Sequence, residues 1–217
     1  MSSLRQHIFF ILDFLKGSPV RNHLTDIKRN FNNPLESKQL QNKRLADLLT
    51  HTIKTVPFYQ SIPEFAQLTD FPVVDKNIIR ENFDQFRSAV FQNKKLFTAI
   101  TSGSTGTPFK IYQDKNKKLR NYADTIYFAS IAGFELGHKL IYMKIWPKAR
   151  MKSPLHYRLQ NMVPVDVIKL NELQIDKLIK NLETSNCVHG FLGYASAFDT
   201  MCKILDNRNN PPIQAKV

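Results

Sequence analysis

Apolar residues in the first part of the chain recur at the spacing of amphipathic helices. The first such stripe is formed by Leu4, Ile8, Ile11, Leu12 and Leu15. Lys16-Gly17 followed by Pro19 predicts where this helix ends. A second stripe, before Pro57, is formed by Leu45, Leu48, Leu49 and Ile53. Residues 18–37, between the two stripes, are polar and predict irregular structure.

Further along, strand and helix patterns alternate. Asp75 is expected to cap a short helix, so residues 1–92 are predicted to be mainly helical. Short strands are expected on both sides of residues 101–108, and longer ones over 140–146, 163–170 and 187–194. Helices are expected between them, with Asn171 and Ser196 as caps and Cys202 on the buried side of the last helix. Alternation of this kind predicts an α/β segment over residues 93–217, with a largely parallel sheet and helices on its faces.

Composition bounds the class of protein and its partners. The 217 residues include 42% hydrophobic and 23% charged residues, as in ordinary folded proteins. The net charge of +13 indicates an acidic partner, or a lysine-rich composition without one. Basic residues interleave with Tyr142, Trp146 and Tyr157, but no nucleic-acid signature accompanies them, so nucleic acid is not the predicted partner. Two cysteines without C-x-x-C spacing and six scattered histidines predict no metal site and fit a reducing cytoplasm.

The first helix raises the question of membrane contact. Its apolar run is short and interrupted by Asp13, which argues against a signal peptide. It is also far shorter than the roughly 20 residues that cross a bilayer. Packing on the domain is the preferred interpretation, and a helix lying on a membrane surface is the alternative.

Residues 101–108, Thr-Ser-Gly-Ser-Thr-Gly-Thr-Pro, carry the clearest chemical signal. Five of the seven residues from 101 to 107 bear a hydroxyl, and the other two are glycines. Glycines allow backbone N–H groups to approach a ligand, and hydroxyls add donors, so the segment suits an anion such as phosphate. The spacing does not match a Walker A loop or a dinucleotide-binding fingerprint. A polar hairpin turn without a ligand is the alternative.

The same segment resembles the phosphate-binding signature of adenylate-forming enzymes, and its surroundings resemble the phenylacetate–coenzyme A ligase family. Supporting stretches are residues 56–59 (Val-Pro-Phe-Tyr), 71–76 (Phe-Pro-Val-Val-Asp-Lys), 133–137 (Gly-Phe-Glu-Leu-Gly) and 193–196 (Gly-Tyr-Ala-Ser). The nearest branch is that of the CapK-like proteins of capsular polysaccharide biosynthesis. The similarity extends from about Pro57 to Leu205.

The resemblance implies a reaction and a set of ligands. A carboxylic acid attacks the α-phosphate of ATP with Mg²⁺ present, giving an acyl-adenylate, and coenzyme A or another acceptor then takes the acyl group. The implied phosphate contacts are Thr101, Ser102, Gly103, Ser104, Thr105, Gly106 and Thr107. Lys110 is a candidate cation, although strand alternation leaves open which face it occupies. Tyr194 and Ser196, at a strand-to-helix turn, are candidates for a substrate pocket. No catalytic residue is identified.

The family's Tyr-Gly-x-x-Glu motif has no counterpart in the sequence. The chain is therefore expected to be the front part of a ligase large domain, truncated or paired with a separately encoded C-terminal half, and inactive alone. A non-catalytic basic module that binds a nucleotide or nucleic acid is the other interpretation.

Overall fold

A computed structural model describes residues 2–63, 67–101, 108–147, 151–184 and 188–206. The chain divides into two compact units. One, which we call the sheet unit, comprises Met1–Arg21 and Thr125–Val217, and the other, the hairpin unit, comprises Asn22–Asp124. The mixed α/β class predicted from the sequence is confirmed.

The hairpin unit combines helices with one two-stranded sheet. Its elements are most of α2 (Pro19–Asn32), α3 (Pro34–Thr55), α4 (Lys76–Glu81), β1 (Phe97–Ile100), β2 (Lys110–Gln113) and the start of α5 (Lys115–Ile131). Single 3-10 turns lie at Pro57–Tyr59, Leu68–Asp70 and Ala89–Phe91. Strands β1 and β2 pair antiparallel. The predicted cap at Asp75 is confirmed, since its side chain accepts from the N–H groups of Asn77 and Ile78.

The sheet unit is built on a three-stranded parallel sheet. Its strands are β3 (Lys139–Lys144), β4 (Met162–Asp166) and β5 (His189–Gly193), in the order β4-β3-β5. Its helices are α1 (Ser2–Phe14), the end of α5, α6 (Pro154–Leu159), α7 (Glu172–Glu183) and α8 (Ala195–Asp206). The core of this unit consists of Ile141, Met143, Ile175, Leu178, Ala197 and Met201. The prediction of a largely parallel sheet is confirmed here.

The expectation of irregular structure over residues 18–37 is wrong. Helix α2 occupies Pro19–Asn32, and α3 already begins at Pro34. Val20, Leu24 and Ile27 are buried at helical spacing, while the residues between them are polar. These three buried side chains anchor the helix to the rest of the protein. Three apolar residues among polar ones give only a weak helical pattern in the sequence.

Three smaller expectations are also corrected. The strand expected over residues 163–170 ends at Asp166, and a 3-10 turn follows. Ser196 does not cap the last helix, because α8 already begins at Ala195. Cys202 is exposed rather than buried, since it lies one position past the buried Met201 and is rotated about 100° away from it. The other cysteine, Cys187, lies outside the described residues.

Candidate anion-binding hairpin

The two strands of the hairpin bring both ends of the hydroxyl-rich segment together. Ile100, the last residue of β1, pairs with Lys110, the first residue of β2. Beyond this pair, the N–H of Thr101 donates to the carbonyl of Phe109 at 2.9 Å, and the N–H of Phe109 donates to the hydroxyl of Thr101 at 3.2 Å. Thr101 therefore closes the base of the segment with both its backbone and its side chain. The other candidates, Ser102, Gly103, Ser104, Thr105, Gly106 and Thr107, lie outside the described residues.

Lys110 lies on the same face of β2 as Tyr112. Its Nζ is 4.6 Å from the ring centre of Phe83 and 5.1 Å from that of Tyr112. Cation–π contacts at an exposed site are worth about 0.5–1 kcal/mol. The two rings thus favour one position for the ammonium group, and they hold it weakly enough for the side chain to reorient toward an anion.

Two further cations lie beside the residue that follows the segment. The Nζ of Lys76 and the Cζ of Arg80 are 5.9 and 5.8 Å from the ring centre of Phe109. Both residues belong to α4, whose start is fixed by the Asp75 cap. With Lys110, three cationic side chains surround the base of the hydroxyl-rich segment. The sequence alone does not indicate a role for Lys76 or Arg80, although Lys76 is the last residue of one stretch that carries the family resemblance.

That resemblance also rests on residues 56–59 and 71–76, which meet in an aromatic cluster of the hairpin unit. The rings of Phe58 and Phe86 stack with their centres 4.1 Å apart. Tyr59 contacts Phe71 and Phe86 at 5.5 and 5.6 Å, and burial raises the pKa of its phenol. Phe71 lies four residues before Asp75, so the cluster packs the chain that leads into α4. These stretches therefore have a structural role in positioning Lys76 and Arg80.

A cleft of about 470 Å³ borders β2 in the same unit. Aromatic and aliphatic side chains form most of its wall, among them Phe83, Phe86, Phe91 and Tyr112. Arg87 is fixed at its edge, since its guanidinium donates to the carbonyls of Phe91 and Gln92 at 3.0 and 2.6 Å. A cleft with such a wall suits a ligand that has an apolar part against the rings and a charged part near Arg87.

Tyr194 and Ser196 belong to the sheet unit. The carbonyl of Tyr194 accepts from the N–H groups of Ala197 and Phe198 at 2.9 and 3.3 Å, so Tyr194 is the residue that opens α8. Its side chain is exposed, and so is Ser196. Both lie at the carboxyl end of β5, where parallel sheets commonly bind ligands. Their role as a substrate pocket stays a prediction.

The aromatic residues of the basic stretch, Tyr142, Trp146 and Tyr157, pack on one another, whereas Lys148 and Arg150 lie outside the described residues. Trp146 contacts Tyr142 and Tyr157 edge to face, with ring centres 5.6 and 5.7 Å apart. Tyr157 is buried, and the Nζ of Lys144 is 4.2 Å from the centre of the Trp146 ring. These contacts give the rings a structural role within the sheet unit.

A cluster of metal-ligating side chains is absent from the described residues. Within them, no group of three or more His, Cys, Asp or Glu side chains is placed to hold a metal ion. Cationic and aromatic side chains lie beside the base of the hydroxyl-rich segment, and positive charge there suits an anion.

A comparison of the sequence with models of known protein families finds no match, and a comparison with curated proteins finds none either. The resemblance to adenylate-forming enzymes therefore depends on the residues and motifs described above.

Proposed function

We propose that this chain carries the phosphate-binding part of an adenylate-forming ligase that activates a carboxylic acid with ATP. The observation that supports it best is the arrangement at the hairpin base. A segment rich in glycine and hydroxyl groups is closed by Thr101 and Phe109, and Lys76, Arg80 and Lys110 surround its base. This combination suits a polyphosphate better than a neutral ligand or a structural turn.

The proposed role of the segment is positional and electrostatic. Hydroxyl and backbone N–H groups would bind the β- and γ-phosphates of ATP, and the neighbouring cations would offset their charge. When the carboxylate of the substrate attacks the α-phosphate, the bond to the pyrophosphate oxygen breaks and pyrophosphate leaves. Donors already placed around the leaving group lower the cost of the charge that develops on it. Coenzyme A as the acyl acceptor follows from the family resemblance alone.

Measurement of ATP binding by calorimetry tests the role of the segment. The double variant Ser104→Ala, Thr105→Ala removes two hydroxyls that the proposal assigns to phosphate. Hydrogen bonds to charged groups are worth about 1.5–3 kcal/mol each, so the loss of two should raise the dissociation constant about a hundredfold or more. The matched control Thr50→Ala, Ser61→Ala removes two exposed hydroxyls of the same unit and should leave it unchanged. Equal ATP binding by wild type and the Ser104/Thr105 variant would contradict the proposal and favour a structural turn.

A second measurement concerns catalysis by the chain alone. The Tyr-Gly-x-x-Glu motif, which in the family contacts adenine and the metal, is absent from the sequence. The isolated 217-residue chain should therefore show no exchange of pyrophosphate into ATP with a panel of carboxylic acids. Robust exchange would mean that other residues supply those contacts.

A further inference from the structure

Helix α1 exposes an unusually large apolar surface. Six large apolar side chains on α1 and the turn that continues it are between 49% and 73% exposed: Leu4, Ile8, Ile11, Leu12, Phe14 and Leu15. At 100° per residue, Leu4, Ile8, Ile11 and Leu15 lie within one narrow stripe. Single exposed apolar residues are common, whereas several along one helix face are typical of an interaction surface.

The polar contacts of α1 lie away from this stripe and fix the helix within the sheet unit. Asp13 is buried, and its carboxylate accepts from the backbone N–H groups of Val20 and Arg21 at 3.0 and 2.9 Å. The guanidinium of Arg5 donates to the carbonyls of Arg158 and Leu159 at the end of α6. The helix therefore keeps its apolar face outward through specific bonds, and rotation to bury the stripe would break them.

The charges around the stripe are of one sign. Asp13 is the only acidic residue among residues 1–25, and it is buried. Lys16 is exposed two residues past the end of the helix, and the exposed Arg21, near the start of α2, has its Cζ 5.1 Å from the ring centre of Phe10. The whole chain carries a net charge of +13. A second copy of the chain would bring the same positive charges together, whereas an anionic surface would be complementary to them.

The length of α1 decides how it could meet a lipid bilayer. Its 13 residues span about 20 Å, well short of the roughly 30 Å hydrocarbon core. No helix in the described part of the chain is long and apolar enough to cross a membrane. Contact with lipid must therefore be parallel to the surface, as in monotopic helices with an apolar and a basic side.

We propose that α1 binds to the surface of a membrane rich in anionic lipids. The stripe formed by Leu4, Ile8, Ile11 and Leu15 enters the boundary between headgroups and acyl chains, and the exposed Lys16 meets lipid phosphates. This surface belongs to the sheet unit and shares no residue with the proposed ATP site of the hairpin unit.

Co-sedimentation of the full chain with vesicles tests this proposal. Vesicles of phosphatidylcholine with about 30% phosphatidylglycerol should bind the wild-type chain, and phosphatidylcholine vesicles should bind it much less. The variant Ile8→Ser, Leu15→Ser should lower the partition coefficient about tenfold or more, because two apolar side chains no longer enter the interface. Increasing salt should weaken binding, since part of the attraction is between exposed charges.

The control variant Leu35→Ser, Leu173→Ser removes two leucines that are exposed on other helices and should bind vesicles like wild type. Circular dichroism checks that both variants remain folded. The proposal is overturned if wild type does not sediment with anionic vesicles, if both vesicle types bind it equally, or if the Ile8/Leu15 variant binds as well as the control. It is also overturned if light scattering shows a dimer that this variant alone dissociates, because a second copy then covers the stripe.

Discussion

The carboxylate of Asp13 accepts a hydrogen bond from the N–H of Val20 at 3.0 Å, and so joins the end of α1 to the start of α2. Its second oxygen accepts from Arg21 at 2.9 Å. The turn between the helices contains two positive φ angles, +86° at Gly17 and +57° at Ser18. The side chain of Asp13, in α1, thus accepts from the first backbone N–H groups of α2, which begins five residues after α1 ends.

Replacing Asp13 by alanine should destabilise the protein by about 1–3 kcal/mol. The variant loses a helix cap and leaves two backbone donors without their acceptor. Asp13→Asn, which keeps one acceptor oxygen, should fall between alanine and wild type. Urea unfolding followed by circular dichroism measures the difference, and the exposed Asp47→Ala serves as the control. An Asp13→Ala variant as stable as that control would show that the cap contributes nothing.

The same contact explains why α2 was missed from the sequence. A helix start is recognised by a capping residue immediately before it, but here the acceptor lies six residues upstream of Pro19, in another helix. Between its inward residues Val20, Leu24 and Ile27, α2 is polar, so its periodicity is weak. By contrast, Asp75 and Asn171 lie next to the helices that they cap, and both were predicted correctly.

Gly193 is required by the packing of the parallel sheet. A Cβ at this position would lie 2.7 Å from the Cβ of Met143 and 2.8 Å from its carbonyl oxygen. Because one of these atoms is backbone, Gly193→Ala should force β5 away from β3 and cost about 3 kcal/mol. Gly17→Ala should cost only about 1 kcal/mol, since that position has a positive φ but open space around it.

Urea unfolding followed by the fluorescence of Trp146, the single tryptophan, reports on the sheet unit for both variants. If Gly193→Ala is no more costly than Gly17→Ala, the two strands are not as closely packed as described.

Asp26 should make the hairpin unit sensitive to acid. Burial alone would raise the pKa of its carboxyl, but the hydrogen bonds and charges of Arg44 and Arg120 lower it overall. The two pairs measure 2.5 and 2.6 Å and join α2 to α3 and α5. Because the pKa of Asp26 is lower in the folded state, its ionised carboxylate stabilises the fold at pH values above about 3.9, the pKa of an aspartate in the unfolded chain. This stabilisation is lost as the pH falls below that value and through the lower pKa of the folded state.

Asp26→Asn should therefore cost about 1 kcal/mol at pH 7, a modest value because the groups are partly exposed. The difference from wild type should shrink as the pH falls below about 4. Urea unfolding at several pH values, followed by circular dichroism, measures it. A difference that stays constant down to pH 2 would mean that the charge of Asp26 does not contribute.

The stability of the sheet unit should also depend on pH, through His189 and at higher pH values than those at which Asp26 acts. Burial and the charge of Lys139 lower the pKa of its imidazole, and its Nε2 has no hydrogen-bond partner among the described residues. The unfolded chain therefore takes up a proton more readily, so stability should decrease as the pH falls below about 6.5.

His189→Gln should flatten this dependence between pH 7 and pH 5, because the titrating group is gone. The control Gln160→Asn, at an exposed position without a titrating group, should leave the slope as in wild type. Unfolding followed by Trp146 fluorescence measures both slopes. An unchanged slope in the His189 variant would assign the dependence to another group.

How well the candidate site could be predicted differs between its backbone and its side chains. The strands on either side of residues 101–108 were evident from short apolar runs bounded by turn residues, and β1 and β2 confirm them. Lys76 and Arg80 were not identified as neighbours of Phe109, because that contact joins residues about 30 positions apart. Sequence spacing predicts neighbours on one helix or strand, but not which of two distant elements will pack together.

The position of β3 in its sheet has a consequence for how the sheet unit opens. Both neighbours of β3 are strands, and its Ile141 and Met143 are fully buried. Amide protons of such a strand exchange with solvent only when β4 or β5 separates from it. The amide protons of β3 are therefore expected to be among the slowest to exchange in the sheet unit, at rates that approach those set by global unfolding.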